Sequence, residues 1–188
     1  MPIDFTVFQL QRISDSEQTS IPGSIVESAA KLTHRHRQSD LFAIHIVTNG
    51  LPDYSTMDLQ ALAKKASGIF FHTQGSVTRA IQSVVDDIND DFYSLNSEIG
   101  SEGAQVLGSV NICVLHNDHV FLGQVGDAVV YHIGEDVYEV FGEGVNAQEK
   151  LGVSRRIQAR YNQWYRGSTI PTTSSNPLKG SMAKRYGN

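Results

Sequence analysis

Residues 108–133, GSVNICVLHNDHVFLGQVGDAVVYHI, constrain the fold more than any other stretch of this chain. Val110, Ile112 and Val114 alternate with polar or small residues, the period-2 pattern of a strand with one buried face. Asn117-Asp118 suits a two-residue hairpin turn, and residues 120–125 run back from it. Gly126-Asp127 then forms a corner. Beyond it residues 129–133 and 137–141, separated by Gly134-Glu135-Asp136, add further strands. Such an antiparallel meander has an apolar face that the rest of the chain must cover.

Two helical patterns precede it. Over residues 57–71, Leu59, Leu62, Ala63, Ala66 and Phe70 make one apolar face, and Asp58 suits the positive end of the helix dipole. Over residues 76–96, Val77, Ala80, Ile81, Val84, Ile88, Phe92 and Leu95 form a stripe at three- and four-residue spacing, with Gly75-Ser76 as the break and Ser76 as N-cap. Upstream, residues 5–13 (FTVFQLQRI) alternate as a half-buried strand does. Residues 41–47 (LFAIHIV) are apolar enough for a central strand, and the charged run KLTHRHRQSD between them reads as a loop. The order is strand, strand, two helices, then a meander. It predicts an α+β layered domain, a sandwich of antiparallel sheets flanked by helices, rather than a βαβ alternation.

With 188 residues, of which 40% are hydrophobic, the chain supports one domain around one core. Its single cysteine, Cys113, excludes an internal disulfide, and the apolar strand around it predicts a buried thiol and a reducing, cytoplasmic setting. No stretch has the form of a signal peptide, and no run approaches the roughly 20 apolar residues of a membrane span, so a soluble chain is expected.

Charge is segregated. Residues 1–150 hold all 20 acidic residues against 8 Lys and Arg, whereas residues 151–188 hold 7 basic residues and no acid. This places a boundary near Gly152, with a domain over 1–150, a basic amphipathic helix over 151–170 and a flexible end over 171–188. In residues 154–166 (SRRIQARYNQWYR), Ile157, Tyr161, Trp164 and Tyr165 fall at helical spacing. Arg155, Arg156, Arg160 and Arg166 flank them, and with Trp164 they are the candidate partner-binding residues. Such a surface suits an acidic partner or phosphoprotein, an anionic membrane or nucleic acid, or the acidic body of the same domain.

The strand end LFAIHIVTNG, the helical pair, the strand start GSV and the run VFLGQVGDAVVYHI together resemble the metal-dependent serine/threonine phosphatases of the protein phosphatase 2C type, over roughly residues 5–144. Members carry a VADGxGG strand end, a GTT or GST strand start and a VGDSR corner. The resemblance implies two bridged divalent cations, Mn²⁺ or Mg²⁺, that activate a water for attack on phosphorus. It assigns Asn49 to the bridging Asp, Gly50 to the glycine that lends its carbonyl to metal, and Asp127 to an acid beside the metal centre. Asp53 is a further nearby acid, reachable only by a different loop path.

The departures matter as much as the matches. Asn49 has a neutral amide, which cannot share a full negative charge between two cations. The second Gly pair is replaced by Leu51-Pro52, and Ala128 and Val129 follow Asp127 where the family has Ser and Arg. The later Asp-Gly and Asp-Asn have no counterpart, because no acid follows Glu149. The chain is therefore expected to be a shortened or C-terminally incomplete relative. Asp127 reads first as the cap of a sharp turn.

Other residues carry weaker signals. His34 and His36 in HRHR lack a third ligand and read as a solvated loop. His116 and His119 face each other across the expected hairpin, while His45, His72 and His132 read as satisfied polar residues. There is no G-x-S-x-G elbow, phosphate-binding loop or Cys-x-x-Cys pair. The expectation is a catalytically silent phosphatase-2C-like domain with a regulatory or partner-binding role. The alternatives are an active Mn²⁺- or Mg²⁺-dependent phosphoserine/phosphothreonine phosphatase and an unrelated α+β interaction domain with a basic docking helix.

Overall fold

The computed structural model describes residues 11–13, 16–18, 21–29, 35–49, 56–99, 105–127, 129–133, 138–141 and 150–165. A short hairpin of β1 (Gln11–Ile13) and β2 (Ser16–Gln18) leads to β3 (Ser24–Ser28) and, after a single 3-10 turn at Arg35–Arg37, to β4 (Leu41–Asn49). Helices α1 (Thr56–His72) and α2 (Val77–Ile99) follow. Then come β5 (Leu107–His116), β6 (His119–Val125), β7 (Val130–Ile133), β8 (Tyr138–Phe141) and β9 (Arg160–Tyr165). Residues 5–10 of the first expected strand lie outside the described residues.

The main sheet has five antiparallel strands in the order β3-β4-β5-β6-β9. Alternation along these strands divides it into two faces. Ile25, Phe42, Ile44, Ile46, Val110, Ile112 and Val114 are buried beneath the helices with the expected α1 residues and the α2 stripe from Val77 to Phe92. Phe42 stacks on Phe70 at 4.8 Å. Gly123 is needed where α2 lies closest, because a Cβ there would stand 2.4 Å from Cγ2 of Ile81. Ser76 caps α2 as expected, its hydroxyl accepting the backbone N–H of Arg79 at 3.1 Å.

Four sequence expectations are corrected. First, β7 and β8 do not continue the meander. Gly126 at φ +85° turns the chain out of the sheet, and the two strands pair only with each other. Second, the basic amphipathic helix is absent from residues 154–165, and Arg160–Tyr165 is a strand that pairs with β6. The edge of β6 offers unpaired backbone groups, Tyr and Trp favour a pleated surface, and α2 amides take up the polar groups that a helix would need. Asn89 donates to the Ser154 carbonyl at 2.9 Å and accepts from the Gly152 N–H at 2.9 Å. Gln82 donates to the Ile157 carbonyl at 2.9 Å and accepts from the Ala159 N–H at 3.1 Å.

Third, Cys113 is exposed on the far face of the sheet rather than buried in the core. It sits in a concavity, and the surrounding protein still raises the thiol to about 11 by desolvation. Fourth, Arg37 in the supposed solvated loop is 1% exposed.

Candidate functional site

The described strand ends that carry the phosphatase resemblance, those of β4, β5 and β6, lie at one end of the sheet. Asn49 pairs with Leu107 at the end of β4, and Val125 pairs with Val110 at the end of β6, so the Gly126-Asp127 corner stands level with Gly108. β5 separates Asn49 from the corner by two strand spacings, roughly 10 Å. The side chain of Asn49, together with Gly50 and Asp53, lies outside the described residues.

The corner is a clasp. Asp127 Oδ1 accepts the Ser109 hydroxyl at 2.6 Å, and Lys150 Nζ stands 2.9 Å from Oδ2. The Ser109 hydroxyl and then the Lys150 ammonium hold the carboxylate down to about 2, against a smaller opposing desolvation. Arg160 donates to the Gly126 carbonyl at 2.9 Å. Gly126 is required twice over, by its positive φ and because a Cβ would lie 2.2 Å from the Ser109 hydroxyl. Gly108 and Leu151 exchange both backbone hydrogen bonds, at 3.1 and 2.8 Å, which brings Lys150 to the corner.

Of the acids the resemblance assigns, only Asp127 lies among the described residues. Both of its oxygens are engaged by donors of the same chain, Oδ1 by the Ser109 hydroxyl and Oδ2 by the Lys150 ammonium. Among the described residues no three His, Cys, Asp or Glu side chains stand together as a metal ligand set.

The remaining candidates fall in different places. Arg155 and Arg156 are exposed in the loop before β9, Arg160 serves the corner, Trp164 is buried, and Arg166 is outside the described residues. His116 and His119 face each other across the hairpin as expected. His45 bonds Ser24 at 2.5 Å, His72 bonds the Gly68 carbonyl at 2.7 Å and His132 bonds Glu139 at 3.4 Å, each through Nδ1.

Sequence reasoning missed two constellations. Arg37 donates to the carbonyls of Thr73 at 3.1 Å, Gly75 at 3.1 Å and Ser76 at 2.9 Å, and lies 4.6 Å from the centre of the Phe70 ring. It faces the buried Asp40 at 3.5 Å, whose other oxygen bonds His116 at 2.6 Å. No local pattern distinguishes Arg37 from its neighbours in HRHR. The second constellation is a polar row across the face opposite the helices, in which the pairing register aligns Ser24, His45, Asn111, Gln124 and Arg160, one residue per strand. Alternation could assign each of these residues to a face, but only the strand order brings them into line.

No family model and no curated protein matches the chain. Among solved structures it is similar to an Arg-to-Ala variant of a bacterial serine phosphatase, at TM-score 0.50 and 12% identity over 78% of this chain. An Arg-to-Glu variant matches at TM-score 0.52 and 12% identity, covering 86% of this chain and 72% of the other. The Streptococcus agalactiae serine/threonine phosphatase matches at TM-score 0.51 and 8% identity, covering 83% of this chain and 71% of the other. The chain spans 65% of the length of the first of these. Identities this low concern the backbone alone. The chain has the layered α+β fold of the bacterial serine/threonine phosphatases, the phosphatase 2C type.

Proposed function

We propose that this chain is a phosphatase-2C-like domain without turnover, which acts by binding a partner. The observation that carries this reading is the corner, where the Asp127 carboxylate is held by the Ser109 hydroxyl and the Lys150 ammonium. Phosphoryl transfer by two cations needs carboxylates free to bridge them and to position a water. Asn49 supplies an amide at the bridging position, and Asp127 is already held by its own chain. The exposed Arg155 and Arg156 suit an acidic or phosphorylated segment of a partner.

The test is turnover of p-nitrophenyl phosphate and of phosphopeptides by the purified chain in Mn²⁺ or Mg²⁺. The expected rate is the background of buffer and metal. A metal-dependent rate that disappears in Asn49→Ala would contradict the proposal and restore the enzyme reading.

A further inference from the structure

The sheet face opposite the helices bears a cavity of about 360 Å³, walled on its far side by β7 of the β7–β8 hairpin. Its apolar wall includes Val26, Ala43, Val120, Leu122 and Val130, and Cys113 lies on the sheet side. Trp164 joins the sheet to the hairpin, donating its indole N–H to Glu139 at 3.2 Å and meeting the Phe141 ring at 4.8 Å. The cavity thus has a wall fixed by hydrogen bonding and ring packing. Its size is within the roughly 300–1,000 Å³ typical of small-molecule sites.

Charge narrows the occupant. No Asp, Glu, Lys or Arg lines the cavity. His45, part of the lining, is pushed below its ordinary pKa by burial, which disfavours its charged form. Three members of the polar row, Ser24, His45 and Asn111, belong to the lining. His45 uses Nδ1 on Ser24, and Asn111 uses its amide oxygen to accept from Gln124 at 2.8 Å. On the sheet side this leaves His45 Nε2 and the Asn111 amide N–H₂ for one hydrogen-bonding group of an occupant, while the β7 wall adds Tyr131 and His132, the latter already facing Glu139 at 3.4 Å.

We propose that this cavity is a binding site for an uncharged, largely apolar small molecule carrying one hydrogen-bonding group, seated against Cys113 and Trp164 with its polar group on His45 and Asn111. The site is separate from the Asp127 corner and stands whether or not the corner is catalytic. A charged headgroup meets no Asp, Glu, Lys or Arg in the lining, where His132 already faces Glu139 at 3.4 Å, and a purely apolar ligand leaves the polar end unmatched.

The chain contains one Trp and one Cys, and both line the cavity, so each reports on it without labelling. The probe is N-phenyl-1-naphthylamine, an uncharged aromatic amine with one N–H, added to the full chain. The expected result is saturable one-to-one quenching of Trp164 emission. At about ten times the dissociation constant, alkylation of Cys113 by N-ethylmaleimide slows roughly tenfold by mass action. The sulfonated analogue 8-anilinonaphthalene-1-sulfonate binds at least about tenfold more weakly because its anion has no partner. Ala43→Trp, which fills the cavity from the exposed face, abolishes quenching-independent protection of Cys113, and His45→Phe weakens it roughly fivefold.

Absence of Cys113 protection in the native chain overturns the proposal whether or not the variants fold. So does equal binding of the sulfonate, or protection that survives in a folded Ala43→Trp. A Cys113 that resists the maleimide at about pH 9 in the folded chain alone, yet reacts once denatured, would show another segment covering the face, which also overturns it.

Discussion

Asp127 is half exposed, yet the Ser109 hydroxyl and Lys150 ammonium keep it ionised to about 2. A folded-state value below the unfolded one, near 3.9, stabilises the native state above that pH and loses the contribution as pH falls from about 4 to about 2. Solvent screening limits it to below about 1 kcal/mol. Urea melts between about pH 5 and 2.5 should therefore show a smaller acid loss in Asp127→Asn than in the parent chain. Arg37 is the opposite case, almost fully enclosed and holding three carbonyls and Asp40. Arg37→Leu leaves all of them unmatched and should cost about 3–5 kcal/mol in urea unfolding. Cys113 gives a chemical check, because a thiol raised from 9.0 to about 11 has roughly a hundredfold less thiolate at neutral pH. The greater nucleophilicity of that thiolate offsets part of the loss, so alkylation should run about tenfold slower than for an ordinary cysteine. Little of this was legible beforehand. The turn role of Asp127 was, because Gly-Asp between strands has few other uses, but the burial of Arg37 depends on carbonyls more than thirty residues away.

Elements were read well where period and length agreed. The α1 and α2 patterns, the Ser76 cap and the β5–β6 hairpin all stand as the spacing indicated, since each is fixed by local periodicity. β9 was misread because Ile157, Tyr161 and Trp164 sit at a spacing that suits a helix, while the choice was made by β6 and α2. Gly123 marks the same tertiary control, a missing Cβ beneath Ile81. Gly123→Ala should lower stability by about 1–3 kcal/mol through overpacking. In the Ile81→Ala background the same change should cost less, and thermal melts of the four chains in that cycle measure the coupling. Equal costs in both backgrounds would refute the contact.

At the scale of the molecule, the charge boundary near residue 152 is no boundary in the sheet, because β9 supplies the edge strand after it. A chain ending at Lys150 should lose cooperative unfolding, and circular dichroism on heating would show it; a cooperative melt like that of the full chain would contradict this. Order of elements made the α+β class legible, and the fold agrees with the bacterial phosphatases at 8–12% identity. Composition could not reveal that one sheet face is left with a cavity, since that depends on where the hairpin after Gly126 turns. The proposed silent domain keeps this fold without metal chemistry. Calorimetric titration of Mn²⁺ into the purified chain tests it most directly. A silent domain shows no two-site binding in the micromolar range and no associated phosphatase turnover. Tight binding at two sites per chain, weakened by Asp127→Asn and accompanied by turnover, would contradict it.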